Sequence, residues 1–180
     1  MRLIAEIIHS KKDLCRRYLR VNYQLAELNI ARFSLPMEHP DNAGFFKNLD
    51  SVNAIAESKP GFVWRFNEAD NHLSTITVFE DPNIVANMSV WADIDSLASF
   101  VYQDKAHLAM MRRRREWFDK MEFYMVLWWM RAGHRPTLEE AKIRLDLLSA
   151  HGPTAAAFTF RQPFPAPCRE QDKPVANGYA

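Results

Sequence analysis

The chain has 180 residues, the size of a single compact domain, and its 48% hydrophobic and 25% charged residues are ordinary for a globular protein. Its 23 basic residues are balanced by 22 acidic ones, and the net charge of +1 excludes recruitment of nucleic acid or an anionic membrane by overall charge. No run approaches the roughly 20 apolar residues that a membrane-spanning helix needs. The two cysteines, Cys15 and Cys168, are too distant for a disulfide framework, which favours a reducing cytoplasmic location.

Composition divides the chain into three segments. Residues 1–22 carry six Lys or Arg against two acids and are predicted to be a basic N-terminal extension. Residues 23–165 hold the periodic apolar pattern of a folded domain. Residues 166–180 are polar and are predicted to be a flexible C-terminal tail.

The first half of the domain predicts three strands and one helix. Alternating apolar residues indicate strands at residues 24–33, 61–66 and 83–91. Apolar residues at helical spacing from Phe45 onward indicate a helix that ends at Pro60 and Gly61. Between the second and third strands we predict a long hairpin connection with a short β segment over Ser74–Phe79.

The second half continues from the third strand with a helical region and a fourth strand, and adds a final helix. Asp93 caps a helical region that restarts at Lys105, and residues 123–130 form a fourth strand. A final helix begins at the capping box of Thr137 and Glu140. Two strand–helix–strand units predict the α+β, ferredoxin-like βαββαβ fold, an antiparallel sheet here followed by an extra C-terminal helix.

The fourth strand is apolar on both sides. Val126, Trp128 and their neighbours point one way, whereas Met125, Leu127 and Trp129 point the other. Leaving the second set in water would forgo several kcal/mol, at roughly 1.5–3 kcal/mol for each large side chain. Because the predicted helices are too few to cover both faces, we expect a homodimer that packs sheet against sheet. In the alternative, the C-terminal AFTF segment folds back over that face.

Several segments together resemble a bacterial family known only as a domain of unknown function. They are LAELNIARF, GFVWRF, NMSVW, FVYQDKAHLAMMRRRREWF, VLWWMRAGHRPTLEEAKIRLDLL and HGP followed by AFTFRQPFP. The resemblance runs from about Leu25 to Pro165. It implies membership of the dimeric α+β-barrel superfamily, beside antibiotic biosynthesis monooxygenases, and so the fold and dimer expected above.

The resemblance implies a range of activities rather than one. The superfamily includes cofactor-independent monooxygenases, haem enzymes, lactone isomerases and ligand binders, and fold alone does not choose among them. Monooxygenase-like members often show a Trp that closes the third strand and a following helix with Leu and His. Trp91 and Leu97 match that pattern, but Phe100 or Val101 stands where the His is expected.

His107 is therefore the candidate catalytic residue. It lies on the helix after Lys105, between Ala106 and Leu108, and its ordinary pKa of about 6.5 suits a general acid or base. It is also the candidate axial ligand if haem binds. In the structural alternative, the ring simply bonds to a backbone carbonyl.

Polar residues inside apolar strands are the candidate binding residues. Asn29 and Asn87 lie in the first and third strands, which are neighbours in a ferredoxin-like sheet. A buried amide without a partner costs roughly 1–3 kcal/mol, so each other, a dimer mate or a ligand must satisfy them. Ser89 and Trp91 share the face of Asn87 and add hydroxyl and indole donors beside aromatic walls.

Arg65 is the remaining candidate binding residue. On the face opposite Trp64, it is placed to hold a carboxylate or phenolate of a substrate. The alternative is an intersubunit salt bridge to an acid such as Glu27.

Three functions follow as hypotheses. The first is a monooxygenase-like oxidoreductase that needs no cofactor and acts on an aromatic or other electron-rich substrate. The second is a non-catalytic ligand-binding or interaction protein, and the third is a haem protein that uses His107. A cavity of a few hundred cubic ångströms beside Asn87, Trp91 and His107 would favour the first. The sequence has no glycine-rich phosphate loop, metal-ligand cluster or nucleophile elbow, so we expect no use of ATP, a dinucleotide or zinc, and no metal unless His107 binds haem. The balanced charge and the lack of a long apolar run predict no nucleic-acid or membrane partner.

Overall fold

The computed structural model describes residues 23–67 and 72–167. The predicted extension over residues 1–22, nearly all of the predicted tail over 166–180, and both cysteines lie outside the described residues. No described helix is long and apolar enough to cross a membrane.

A four-stranded antiparallel sheet forms the centre of the described chain. The strands are β1 (Tyr23–Arg32), β2 (Phe62–Arg65), β3 (Ile84–Trp91) and β4 (Met125–Arg131). Their order is β2-β3-β1-β4, and each neighbouring pair is antiparallel. This is the predicted ferredoxin-like order, with β1 and β3 side by side in the middle.

Within the described ranges, five α-helices connect and cover the strands. They are α1 (Ala43–Glu57), α2 (His72–Phe79), α3 (Ile94–Gln103), α4 (Lys105–Arg113) and α5 (Leu138–His151). The carboxylate of Asp93 accepts a hydrogen bond from the Ser96 amide at the start of α3, and the Thr137 hydroxyl accepts one from the Glu140 amide at the start of α5. Both caps occupy the predicted positions.

Helix α2 corrects one prediction, because the β segment expected over Ser74–Phe79 is helical. The β-branched residues of this segment favour a strand by propensity. However, Thr75 is buried, and Val78 and Phe79 pack on the main core, at a spacing of three and four residues. Tertiary packing of one helical face has therefore overridden local propensity.

Helices cover both faces of the sheet. On one face, α5 buries Leu138, Ala141, Leu145 and Leu148 against the strands, with α2 beside it. On the other face, α1 and α3 pack over a second cluster that includes Leu25, Trp91 and Leu127. The cavity described below lies on this second face.

The two-sided apolar character of β4 is explained within one chain. Leu127 exchanges two backbone hydrogen bonds with Phe158, of 2.8 and 2.9 Å, and Phe158 is fully buried. The indole nitrogen of Trp129 donates to the Phe164 carbonyl at 2.8 Å. The C-terminal segment thus pairs with the free edge of β4 and packs Phe158 and Phe164 into the apolar cluster on this face, which the predicted helices alone were too few to cover. The homodimer through the sheet face stays a prediction, but β4 does not require it.

Candidate functional site

The cross-strand register arranges the floor of the candidate site. Residues directly opposite each other in an antiparallel sheet share a face. The register produces three neighbouring rows on the face beneath α1 and α3, namely Asn29–Asn87, Glu27–Ser89–Arg65 and Leu25–Trp91–Phe62. The floor therefore passes from amides, through charged and hydroxyl groups, to aromatic rings.

A cavity of about 50 Å³ lies between this floor and the helices. All six predicted site residues line it, namely Asn29, Arg65, Asn87, Ser89, Trp91 and His107. Glu27 and Asn53 also line it, together with apolar side chains from α1 and α3. The sequence therefore identified residues that share one cavity, although they come from β1, β2, β3 and α4.

The cavity is smaller than expected for a ligand pocket. A volume of about 50 Å³ holds one or two water molecules or one small chemical group. Pockets for drug-sized ligands measure roughly 300–1,000 Å³. The cavity therefore does not meet the expectation of a few hundred cubic ångströms, and it admits only the end of a larger molecule.

Glu27 lies at the centre of the hydrogen-bond network and is 4% exposed. The Asn29 amide donates to its Oε1 at 2.7 Å, and the Ser89 hydroxyl donates to its Oε2 at 3.0 Å. The Trp91 indole in turn donates to the Ser89 oxygen at 3.0 Å. Two of the predicted binding residues thus bond to one carboxylate, and a third, Trp91, is linked to it through Ser89.

Burial controls the ionisation of Glu27. Loss of water around the carboxylate raises its pKa from 4.5 to about 7, even though the hydrogen bonds from Asn29 and Ser89 act to lower it. The group therefore exists in both forms near neutral pH. A titratable group of this kind in a cleft is typical of functional sites.

His107 is held by the junction of α3 and α4. Its Nδ1 lies 2.9 Å from the Val101 carbonyl oxygen, and its ring centroid lies 4.8 Å from that of Phe100. Because a carbonyl only accepts, Nδ1 carries the proton and Nε2 of the neutral ring is the basic nitrogen. Burial lowers the pKa of His107, while the bond to Val101 and the Asp104 charge oppose this. The carbonyl bond named as the structural alternative is present, and it orients a ring that also lines the cavity.

Asp104 fixes the position of His107 in the chain. Its carboxylate accepts hydrogen bonds from the backbone amides of Ala106 and His107, at 2.9 and 3.0 Å, and so caps α4. The ammonium of Lys59, in the turn between α1 and β2, lies 2.8 Å from the same carboxylate. This ion pair joins the two helical layers that enclose the cavity.

The two asparagines are adjacent, as predicted, but they are not a buried pair. Asn29 and Asn87 are directly opposite in the register of β1 and β3. Asn29 is half-buried and donates to Glu27, whereas Asn87 is exposed and makes no side-chain hydrogen bond to any described residue. The premise that both amides are buried is therefore wrong for Asn87, which lies where water reaches it, while Asn29 bonds to Glu27.

Arg65 is engaged within its own chain. Its Nε donates to a carboxylate oxygen of Glu57 on α1 at 2.6 Å, and one terminal nitrogen contacts the Phe66 carbonyl at 3.4 Å. The partner suggested by sequence, Glu27, instead bonds to Ser89, which lies between the two in the same row. The guanidinium still lines the cavity, but its charge is compensated by Glu57.

The residues present do not fit a haem. A macrocycle is far larger than the cavity of about 50 Å³ beside His107. The cavity wall also carries a buried carboxylate and amides where a haem needs an apolar slot. No cluster of three or more potential metal-ligating side chains occurs in the described ranges.

Sequence reasoning missed Glu27 and Asn53 as site residues. Glu27 lies two positions before Asn29 in β1, on the same face, between the apolar Ala26 and Leu28. The available signal was the spacing in β1, because an acid two positions from a polar residue of the same strand lies on the same face of the sheet. Nothing in the helical pattern around Asn53 distinguishes it from a surface residue.

The fold and the cavity together define an α+β protein, built on a four-stranded antiparallel sheet, with a small polar site on the sheet face that α1 and α3 cover. Within that class, the chain belongs to the family DUF3291, a domain of unknown function, whose profile matches residues 24–174. No curated protein matches the sequence.

Three solved structures are similar in fold. NE2512, a protein of unknown function from Nitrosomonas europaea, has a TM-score of 0.41 at 10% identity over 66% of this chain and 96% of its own. SnoaB, a cofactor-independent oxygenase from Streptomyces nogalater, has a TM-score of 0.37 at 19% identity, over 65% of this chain and 98% of its own. A protein from Chloroflexus aurantiacus, provisionally described as an antibiotic biosynthesis monooxygenase, has a TM-score of 0.42 at 11% identity, over 64% of this chain and 98% of its own. Likenesses this distant carry no argument about activity.

Proposed function

We propose that this chain is a cofactor-independent, monooxygenase-like oxidoreductase in which His107 is the general base for a small electron-rich substrate. The observation that carries the proposal is the fixed imidazole of His107 on the wall of a cavity that also contains Asn29, Arg65, Asn87, Ser89 and Trp91. A base and several hydrogen-bonding groups around one small space are what such a reaction needs.

The ionisation of His107 suits a base. Because burial lowers its pKa from 6.5, the ring is mainly neutral at neutral pH and its Nε2 accepts a proton. Removal of a proton from an electron-rich substrate leaves an anion that reduces dioxygen directly. Conversion of a CH₂ group to a carbonyl then balances, since one oxygen atom enters the substrate and the other leaves as water.

The remaining residues bind and orient the substrate. Only the reacting end of a molecule fits a space of about 50 Å³, so the rest of the substrate extends past the exposed Asn87. Ser89 and Trp91 are already fixed by their mutual hydrogen bond of 3.0 Å, which keeps the floor rigid. A rigid floor positions the substrate with little loss of entropy on binding.

Oxygen uptake tests the proposal. Purified protein is mixed with a panel of aminophenols, naphthols and 1,3-dicarbonyl compounds, and dioxygen consumption is followed with an electrode. We expect consumption by at least one compound, reduced about 100-fold or more in His107→Gln. His151→Gln, at the exposed end of α5, is the matched control and should retain the rate. Equal rates for wild type and His107→Gln would overturn the role of His107.

The small size of the cavity favours a second candidate, a non-catalytic protein that binds one small polar group. In that case, the panel produces no oxygen uptake, while the same protein still binds a ligand in this cavity. Oxygen uptake therefore separates the two candidates, because both of them bind a ligand in this cavity.

A further inference from the structure

Glu27 is a buried carboxylate without a cationic partner among the described residues. Its two hydrogen bonds come from the neutral side chains of Asn29 and Ser89. A buried charge is costly unless a cation pairs with it or a proton neutralises it. The cavity beside Glu27 is therefore a place where a cationic group gains a favourable partner.

The hydrogen bonds around Glu27 have one fixed direction. An indole nitrogen only donates, so Ser89 must accept from Trp91, and the single hydroxyl hydrogen of Ser89 is left for Glu27. The amide nitrogen of Asn29 also donates to Glu27, which leaves its carbonyl oxygen as an acceptor. A carboxylate has about four acceptor positions, and these bonds use two. The unfilled positions accept hydrogen bonds from a ligand.

The other groups on the cavity wall favour a small cation. The titratable groups there besides Glu27 are Arg65 and His107, and the wall residues from α1, α3 and β3 do not titrate. Arg65 is compensated by Glu57 at 2.6 Å, and burial keeps His107 mainly neutral at neutral pH. The rings of Trp91 and Phe100 stack at 5.6 Å along the same wall, and aromatic faces attract ammonium groups.

We propose that Glu27 anchors the primary ammonium group of a small amine in this cavity. The space of about 50 Å³ admits the –CH₂NH₃⁺ end of such a molecule, and its three N–H groups meet the carboxylate and the Asn29 carbonyl. The amine site goes beyond the proposed oxidoreductase function and stands independently of it.

Binding of the amine is linked to pH through Glu27. An ammonium beside the carboxylate stabilises the ionised form, so binding lowers the pKa of Glu27 from about 7 and releases a proton below that pH. Affinity for an amine should therefore rise about tenfold between pH 6 and pH 8 and level off above. Protonation of His107 at low pH adds positive charge to the wall and acts in the same direction.

The test uses methylammonium chloride as the probe and the indole N–H resonance of Trp91 as the reporter. Nuclear magnetic resonance titrations are run at pH 6 and pH 8, with potassium chloride at equal ionic strength as the blank. Acetamide and sodium acetate are the neutral and anionic probes of similar size. We expect a saturable shift with methylammonium, about tenfold tighter at pH 8 than at pH 6, and at least tenfold weaker binding of the other two. The reporter resonance is assigned as the indole signal that is absent from the spectrum of Trp91→Phe.

Two variants link the result to Glu27. Glu27→Gln should abolish methylammonium binding at both pH values. If that variant does not fold, Asn29→Ala keeps the carboxylate and loses a hydrogen bond that lowers its pKa, so the midpoint of the pH dependence should move upward. Acetate binding as tightly as methylammonium, or affinity independent of pH, would overturn the proposal. Because no turnover is involved, such a failure leaves the oxygen-uptake test of His107 unaffected.

Discussion

The hydroxyl of Ser89 on β3 donates a hydrogen bond of 3.0 Å to the carboxylate of Glu27 on β1, across the centre of the sheet. Both residues are buried. The bond holds an acid in place without neutralising it, and so the ionisation of Glu27 depends on its burial. This dependence has measurable effects on stability as well as on binding.

Folding stability should fall as pH rises from about 4.5 to about 7. The pKa of Glu27 is about 7 in the folded protein and 4.5 when it is in water. Below 4.5 the group is protonated in both states, and between the two values only the folded state keeps the proton. The free energy of unfolding should therefore decrease over this range, by up to roughly 3 kcal/mol, and stay level above it.

Urea unfolding at pH 5 and pH 8 checks this prediction. Glu27→Gln should remove the decrease, because the amide does not titrate. Other groups contribute to the pH dependence, so the difference between wild type and variant is the quantity to compare. Glu122→Gln, an exposed residue, should behave as wild type. A wild-type slope that survives in Glu27→Gln would show that Glu27 titrates normally.

Two substitutions should move the pKa of His107 in opposite directions. The Asp104 charge raises this pKa, so Asp104→Asn should lower it further, while the Asn side chain still caps α4. Lys59 compensates the Asp104 charge at 2.8 Å, so Lys59→Met should raise it. The imidazole proton resonances followed against pH measure both shifts. Shifts in the same direction would mean that the substitutions act through structure rather than charge.

Gly61 should tolerate no side chain. Its φ is +86°, and an added Cβ would overlap the Ser96 hydroxyl oxygen and lie 2.5 Å from the Ser96 Cβ. Gly61→Ala should cost about 2–5 kcal/mol of stability, from backbone strain and the clash together. Gly133 has the same φ of +86° with no atom within 4 Å of an added Cβ, so Gly133→Ala should cost about 1–2 kcal/mol. Thermal unfolding compares the two, and equal losses would contradict the close approach of the turn to α3.

Phe158 should be essential to the cover of β4. Its ring is fully buried against Leu127, and Phe158→Ala should destabilise the chain by about 3–5 kcal/mol. Phe123→Ala removes a ring that is 36% exposed and should cost less than about 1 kcal/mol. Light scattering at micromolar concentration tests the predicted homodimer in the same samples. A small loss for Phe158→Ala in a dimeric protein would mean that a second copy covers this face.

Much of the fold could be predicted because strands and helices differ in period. The predicted first strand, residues 24–33, agrees with Tyr23–Arg32 to within one residue. Helix α2 could not be predicted in this way, because its Thr, Ile and Val residues favour a strand by propensity. The segment is helical because Val78 and Phe79 pack on the main core. The missing information was the position of that core, which depends on the distant helix α5.

The candidate site was predictable only as far as topology determines it. Strand order alone placed Asn29 beside Asn87. The burial of Glu27 could not be read from β1, since an acid in a strand is usually exposed, and the side chains that exclude water from it belong to α1 and α3. The volume of the cavity depends on how α1 and α3 pack on the sheet. Sequence periodicity predicts that the helices exist but carries no information on how they pack.

Side chains alternate between the two faces of the sheet along β1 and β3, so the site depends entirely on the register of these strands. Glu27 and Asn29 reach the cavity from one strand, and Asn87, Ser89 and Trp91 reach it from the other, always at every second position. Deleting one residue ahead of Glu27 within β1 would turn both polar groups toward α5 and bring leucine and isoleucine into the cavity. A single codon lost ahead of Glu27 within β1 would thus remove both polar groups from the cavity and place a carboxylate in the core beneath α5.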